Sequence, residues 1–119
     1  MQKQLRLRRR KDFDSVLSQG QTLSHSLLVL RSLPNGLPHT QIGFITSKRL
    51  GNAVVRNRVR RRLREAVRSL ETAPGWDVVL AARAAAAGAD FHDLKSAIAQ
   101  LFARAGILAE AAPDREERP

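Results

Sequence analysis

The chain has 119 residues, 43% of them hydrophobic, enough for one compact domain with a modest core. Its 21 Lys and Arg against 11 Asp and Glu leave a formal net charge of +10, which sets the sign of the partner: nucleic acid, anionic membrane surface or acidic protein. It contains no cysteine, so disulfides and thiolate metal sites are excluded, and it has neither a transmembrane-length apolar run nor an apolar signal core after the basic N-terminus, which predicts a soluble cytoplasmic protein.

Residues 1–11 carry Lys3, Arg6, Arg8, Arg9, Arg10 and Lys11 and little apolar besides Leu5 and Leu7, which predicts a loosely ordered basic arm. Asp12 to Leu17 follows as a short helix, with Phe13, Val16 and Leu17 at helical spacing and Gly20 as its stop. From Thr22 to Leu33 the pattern is extended around Leu27–Leu30, and Pro34-Asn35-Gly36-Leu37-Pro38 is a turn. Thr40 to Thr46 alternates around Ile42 and Phe44, so the two extended stretches predict an antiparallel hairpin.

Asn52 is a natural N-cap, with Gly51 bending the backbone before it, and a long helix is predicted from about Ala53 to Leu70. At 100° per residue, Val55, Val59, Leu63, Ala66 and Leu70 fall within roughly 80° of one another and form a core-facing stripe. Arg58, Arg60, Arg61, Arg64 and Arg68 spread over the opposite side. Between residues 48 and 68 there are nine basic residues and one acid, Glu65. Solvated helices intersperse acids and bases, because like charges three or four positions apart repel. This much self-repulsion points to a polyanion that neutralises it, and so to nucleic acid.

After the Pro74-Gly75 turn, Asp77–Ala82 reads as a buried strand, and the alanine run to Ala87 is either its end or a loop. A last helix runs from its cap at Asp90 to about Ala105, burying Phe91, Leu94, Ile98, Leu101 and Phe102. Residues 111–119 read as a disordered acidic tail. The order helix, strands, long helix, strand, helix, without repeats or linkers, gives a single α+β domain over residues 1–110.

The start of the long helix, around Gly51–Ala53, offers N–H groups and a positive dipole end to one phosphate. Arginine forks then grip further phosphates in two-point fashion. Asn57 either reaches a ribose, base edge or hydrated metal, or is a tolerated surface residue. His25, His39 and His92 are scattered, Asp12 with Asp14 and Asp90 with Asp93 are spaced as helix-start acids, and no nucleophile or metalloprotease motif is present. No catalytic residue is expected in the chain. Phe44, Phe91 and Phe102 read as core, Phe13 as either core or a stacking surface, and Trp76 as a lid on the core edge.

The segment Ser47 to Arg64, S-K-R-L-G-N-A-V-V-R-N-R-V-R-R-R-L-R, closely resembles the signature of the bacterial ribonuclease P protein subunit. Arg6-Leu7-Arg8, Asp12-Phe13, Val16, Ile42-Gly43, Asp77–Arg83 and Leu101-Phe102 fall in the order of that family, so the resemblance spans about residues 5–108. It implies a ribosomal-protein-like α+β domain in the order α-β-β-β-α-β-α, with a left-handed crossover through the arginine helix. It also implies the accessory role in an RNA-catalysed, Mg2+-dependent endonuclease that removes the 5′ leader of precursor tRNA. The RNA subunit, which would hold the Mg2+, would be contacted by Lys48, Arg49, Asn52, Arg56, Asn57, Arg58, Arg60, Arg61, Arg62, Arg64 and Arg68. Phe13, Leu17, Arg31 and Phe44 would line a leader cleft between the sheet and the first helix, with one protein monomer per RNA. Members of the family often carry aromatics where Leu17 and Arg31 stand here, so leader binding is expected to lean on backbone charge more than on bases.

The competing reading is a ribosomal or ribosome-assembly protein without a catalytic role, which fits the size and charge equally well but does not require the G-N-A-V-x-R-N-R core. A DNA-recognition helix would want base-reading side chains on one narrow face rather than arginines over most of the exposed surface.

Overall fold

A computed structural model describes residues 4–109, and the acidic tail lies outside the described residues. The elements in chain order are β1 (Gln4–Arg6), α1 (Arg10–Gln19), β2 (Gln21–Ser24), β3 (Leu28–Pro34), β4 (Thr40–Ile45), α2 (Ala53–Arg68), β5 (Trp76–Ala82) and α3 (Phe91–Ala105). They build one mixed sheet in the order β1-β4-β5-β3-β2, an α+β domain as expected.

The middle of the sheet belongs to β5, the strand whose Val78, Val79 and Leu80 are all buried. A strand apolar on both faces is best satisfied with neighbours on both edges and helices on both sides. That requirement separates the two strands expected to form a hairpin. β3 runs antiparallel to β5 on one side and β4 runs parallel to it on the other, so the Pro34–Pro38 turn joins strands that never pair. The hairpin forms one step earlier: the stretch 22–33 breaks at His25–Leu27 into β2 and β3, with Leu23 opposite Leu30. His25 Nδ1 accepts the Leu27 N–H in that turn.

The basic arm is also partly structured. Gln4–Arg6 adds to the sheet edge parallel to β4, and Leu7 behind it is buried. The Gln4 side-chain amide donates to the carbonyls of Val67 (3.0 Å) and Leu70 (2.8 Å), tying this strand to the end of α2. The Val67 carbonyl lies in the last turn of α2, where it also accepts the Leu70 N–H, and the Leu70 carbonyl lies just beyond the helix end.

Alternation along the strands sorts two cores. Leu28, Leu30, Ile42, Val78 and Leu80 pack under α2 and α3, against Val59, Leu63, Ala66, Val67, Leu94, Ile98, Leu101 and Phe102. On the other face Val79 meets Leu7 and Val16, with Phe13, Leu33 and Ile45 around them. Most of the expected helix stripes are buried. Val55 and Leu70, at the two ends of the α2 stripe, are half-buried, and Leu17 in α1 is exposed; Phe91 is 38% exposed because it occupies the first position of α3, and Ala97 takes a buried place instead. The alanine run closes as a short 3-10 turn over Ala84–Gly88 rather than extending the strand.

Candidate nucleic-acid interface

The approach to α2 is built by local capping. Ser47 Oγ accepts from Arg49 N–H (3.3 Å) and holds a 3-10 turn over Lys48–Leu50, pinned by buried Leu50. Lys48 and Arg49 therefore stand exposed side by side. Gly51 then takes φ 139°, a conformation that side-chain-bearing residues rarely adopt. Asn52 Oδ1 accepts from Val55 N–H at 3.0 Å, so the predicted N-cap is formed. Asn52, Ala53 and Val54 at the start of α2 are exposed, as are Lys48 and Arg49 before them, and there is no acid in the first turn.

Along α2 the basic side chains divide by what lies beside them. Arg61 and Arg68 are exposed, while Arg56, Arg58, Arg60, Arg62 and Arg64 are half-buried. Arg62 turns toward α3 and donates from Nη1 to the Ala89 carbonyl at 3.0 Å, so part of its guanidinium serves the fold. Arg60 bridges the other way, donating to Thr46 Oγ1 at the end of β4 and to Asn57 Oδ1 at 3.3 Å. Asn57 is thereby an exposed acceptor that orients a neighbouring arginine. Arg56 Nε is buried without a hydrogen-bond partner.

Arg60, Arg64 and Arg68 succeed one another by one turn and run along the β1–β4 edge of the sheet. Arg60 and Arg64 line a small cavity of about 130 Å³ together with Arg6, Leu7, Phe13, Ile42, Gly43 and Phe44. Arg64 and Arg68 line a larger one of about 650 Å³, which shares Arg6, Ile42 and Phe44 with the first. The two cavities share these lining residues and Arg64, and so lie next to one another along the arginine stripe. Desolvation, and then the guanidiniums of Arg6, Arg60 and Arg68, push the Arg64 pKa below the ordinary arginine value. A lowered pKa on a cation means that the folded state disfavours its charge, and its contribution to stability would change only at strongly alkaline pH. Near neutrality Arg64 stays charged, and the repulsion is relieved by an anion or by salt.

The expected leader-cleft residues do not share one wall. Phe13 lies half-buried on the α1 face of the sheet, its ring against Gly43. Leu17, one turn on, is 40% exposed, and Arg31 stands on the same sheet face in register with Val79 and Thr22. Phe44 points to the opposite face, packed against the α2–α3 core, because it alternates with Gly43. Phe13 and Phe44 both line the small cavity at the edge of β4, where β1 has ended at the Arg6–Ile42 pair. Leu50, Gln4 and Thr46 escaped the reading of the sequence, since each acts through a partner distant along the chain.

Among the described residues no three His, Asp or Glu side chains gather into a metal-binding group. The buried carboxylate of Asp77 is occupied by the side-chain amides of Asn35 and Gln41, each at 2.9 Å. No helix among the described residues is long and apolar enough to cross a membrane.

A ribonuclease P family model matches residues 1–106. The ribonuclease P protein component of Roseiflexus castenholzii is 41% identical over 121 aligned positions, covering 99% of each chain. That of Dehalococcoides mccartyi is 41% identical over 106 positions, covering 89% of this chain and 88% of its own. Among solved structures, a Staphylococcus aureus RNase P protein mutant superposes with a TM-score of 0.79 at 25% identity, covering 87% of this chain and 89% of its own. The Thermotoga maritima RNase P protein superposes with a TM-score of 0.75 at 26% identity, covering 83% and 96%. With its arginine helix, approach turn and sheet in this arrangement, the chain belongs to the ribonuclease P protein family.

Proposed function

We propose that this tRNA-processing subunit acts as the accessory protein of ribonuclease P, docking α2 and its approach turn on the RNA subunit while the RNA carries the chemistry. The observation that carries this reading is the line of guanidiniums Arg60, Arg64 and Arg68, joined by Arg6, which together line the adjoining cavities and whose charges oppose that of Arg64. Such a line is stable next to phosphates and repulsive without them. Lys48, Arg49 and the start of α2 meet a first phosphate, and Arg61 with Arg58 extends the contact along the exposed side. Arg62 contributes mainly to the fold.

The α1 face, with Phe13, Leu17 and Arg31, receives the 5′ leader of precursor tRNA. An aliphatic and a cation at the two outer positions favour backbone contacts over base stacking, so affinity depends weakly on leader sequence. Mg2+ is held by the RNA, and the protein favours it by offsetting phosphate repulsion rather than by supplying ligands. One protein monomer serves one RNA in the cytoplasm.

The test is cleavage of precursor tRNA at low Mg2+, comparing a bacterial ribonuclease P RNA alone, the protein alone, and the mixture. Cleavage confined to the mixture, or much faster in it, is the expected result. Cleavage by the protein alone would overturn the accessory role, and tight RNA binding without stimulation would favour a ribosomal-type partner.

A further inference from the structure

The larger cavity lies between β1 and the C-terminal half of α2, on the side of the sheet away from α1. Its walls are of two kinds. Ile42, Phe44, Val67 and Leu70 give an apolar side, while Arg6, Arg8, Arg64 and Arg68 give a cationic one. At about 650 Å³ it is within the range of pockets that enclose small organic ligands, roughly 300–1,000 Å³. A site for a bare anion needs no ring, and a purely apolar pocket needs no guanidinium. An aromatic side chain beside clustered arginines suits a molecule with a flat π-face and a phosphate.

We propose that this cleft binds one unpaired ribonucleotide of an RNA strand, its phosphate between Arg6 and Arg64 and its base against Phe44. The end of a helix ordinarily repels an anion, because its last carbonyls carry negative partial charge. Here the Gln4 amide donates to one of them, that of Val67, and to the Leu70 carbonyl just past the helix end. Glu71 also lines the cavity, beyond Arg68 in the chain, which directs the phosphate toward the Arg6–Arg64 end. The repulsion among Arg6, Arg60, Arg64 and Arg68 gives the phosphate a favourable place without any change of fold. Because Arg6 and Arg64 line both this cleft and the smaller cavity beside Phe13, a strand leaving it has a charged path toward the α1 face. This inference rests on the reading of the protein as an RNA-binding subunit, and gives that subunit a contact beyond the exposed face of α2.

The experiment is NMR titration of the full chain with adenosine 5′-monophosphate, and separately with inorganic phosphate, following the Phe44 ring, the Gln4 side-chain amide and the Arg6 and Arg64 Nε–H signals. Shifts of all of these with the nucleotide, at an affinity about tenfold above that for phosphate, are expected. Phe44→Leu should remove most of that tenfold preference, and Arg6→Ala should weaken both ligands. Equal affinity for the two ligands with a silent Phe44 ring would overturn a nucleotide site, and so would shifts confined to the exposed face of α2. Arg61→Ala, on that exposed face, separates the two readings in binding to ribonuclease P RNA. If Arg61→Ala weakens RNA binding and neither Arg6→Ala nor Phe44→Leu does, the cleft assignment fails alone. If none of the three does, the RNA-docking reading fails with it.

Discussion

Phe13 presses its ring onto the bare Cα of Gly43, so closely that a methyl group on Gly43 would collide with the ring tip. This contact joins α1 to β4 at the mouth of the small cavity and sets how far the helix stands from the sheet. Gly43→Ala should therefore push Phe13 and α1 outward, destabilising the protein by about 1–3 kcal/mol through overpacking. Adding Phe13→Leu, which shortens the colliding group, should restore part of that loss. Denaturant midpoints of the two variants check this, and a Gly43→Ala protein as stable as the parent would mean that the ring does not bear on the strand.

Asn52 has two roles that different substitutions separate. Its Oδ1 caps α2 through the Val55 N–H, so Asn52→Ala should cost about 1 kcal/mol. Asn52→Asp keeps the acceptor and adds a negative charge that the helix dipole favours, so stability should be retained. The same charge repels a phosphate at the helix start, and RNA affinity should fall in the Asp variant. Thermal unfolding and RNA titration together check this; unchanged RNA affinity would place the phosphate elsewhere.

Arg61 and Arg62 are neighbours in sequence with opposite surroundings. Arg61 is exposed, so Arg61→Ala should leave stability within about 0.5 kcal/mol while lowering the salt dependence of RNA binding by roughly one unit. Arg62 donates to the Ala89 carbonyl, so Arg62→Ala should cost about 0.5–1.5 kcal/mol of stability. Its effect on the salt slope should be smaller than that of Arg61→Ala. Equal slopes for the two variants would show that Arg62 also meets RNA.

Local chemistry made much of this molecule legible from the chain. The Asn52 and Asp90 caps form as their side chains predict, and α2 and α3 bury most of the stripes read at helical spacing. The pairing of strands was not legible, because it depended on which strand most needed burial on both faces. β5 took the centre and separated β3 from β4. Phe44 packs against the core as read, but on the wall opposite Phe13, for a related reason. One-residue alternation with Gly43 turns it to the helix face, while its neighbour stays bare to receive Phe13.

By itself the sequence determined the sign of the partner, the arginine-rich helix and its cap, and the family resemblance, since composition, capping and helical periodicity act over a few residues. Only the tertiary structure decided which arginines face outward, which brace the fold and which converge on a groove. Arg62 meets Ala89, Arg60 meets Thr46, and Arg64 lies beside Arg6 because the sheet brings distant segments to opposite flanks of one helix. A guanidinium's role is set by what stands next to it, and those neighbours lie dozens of residues away along the chain for Arg62 and Arg64.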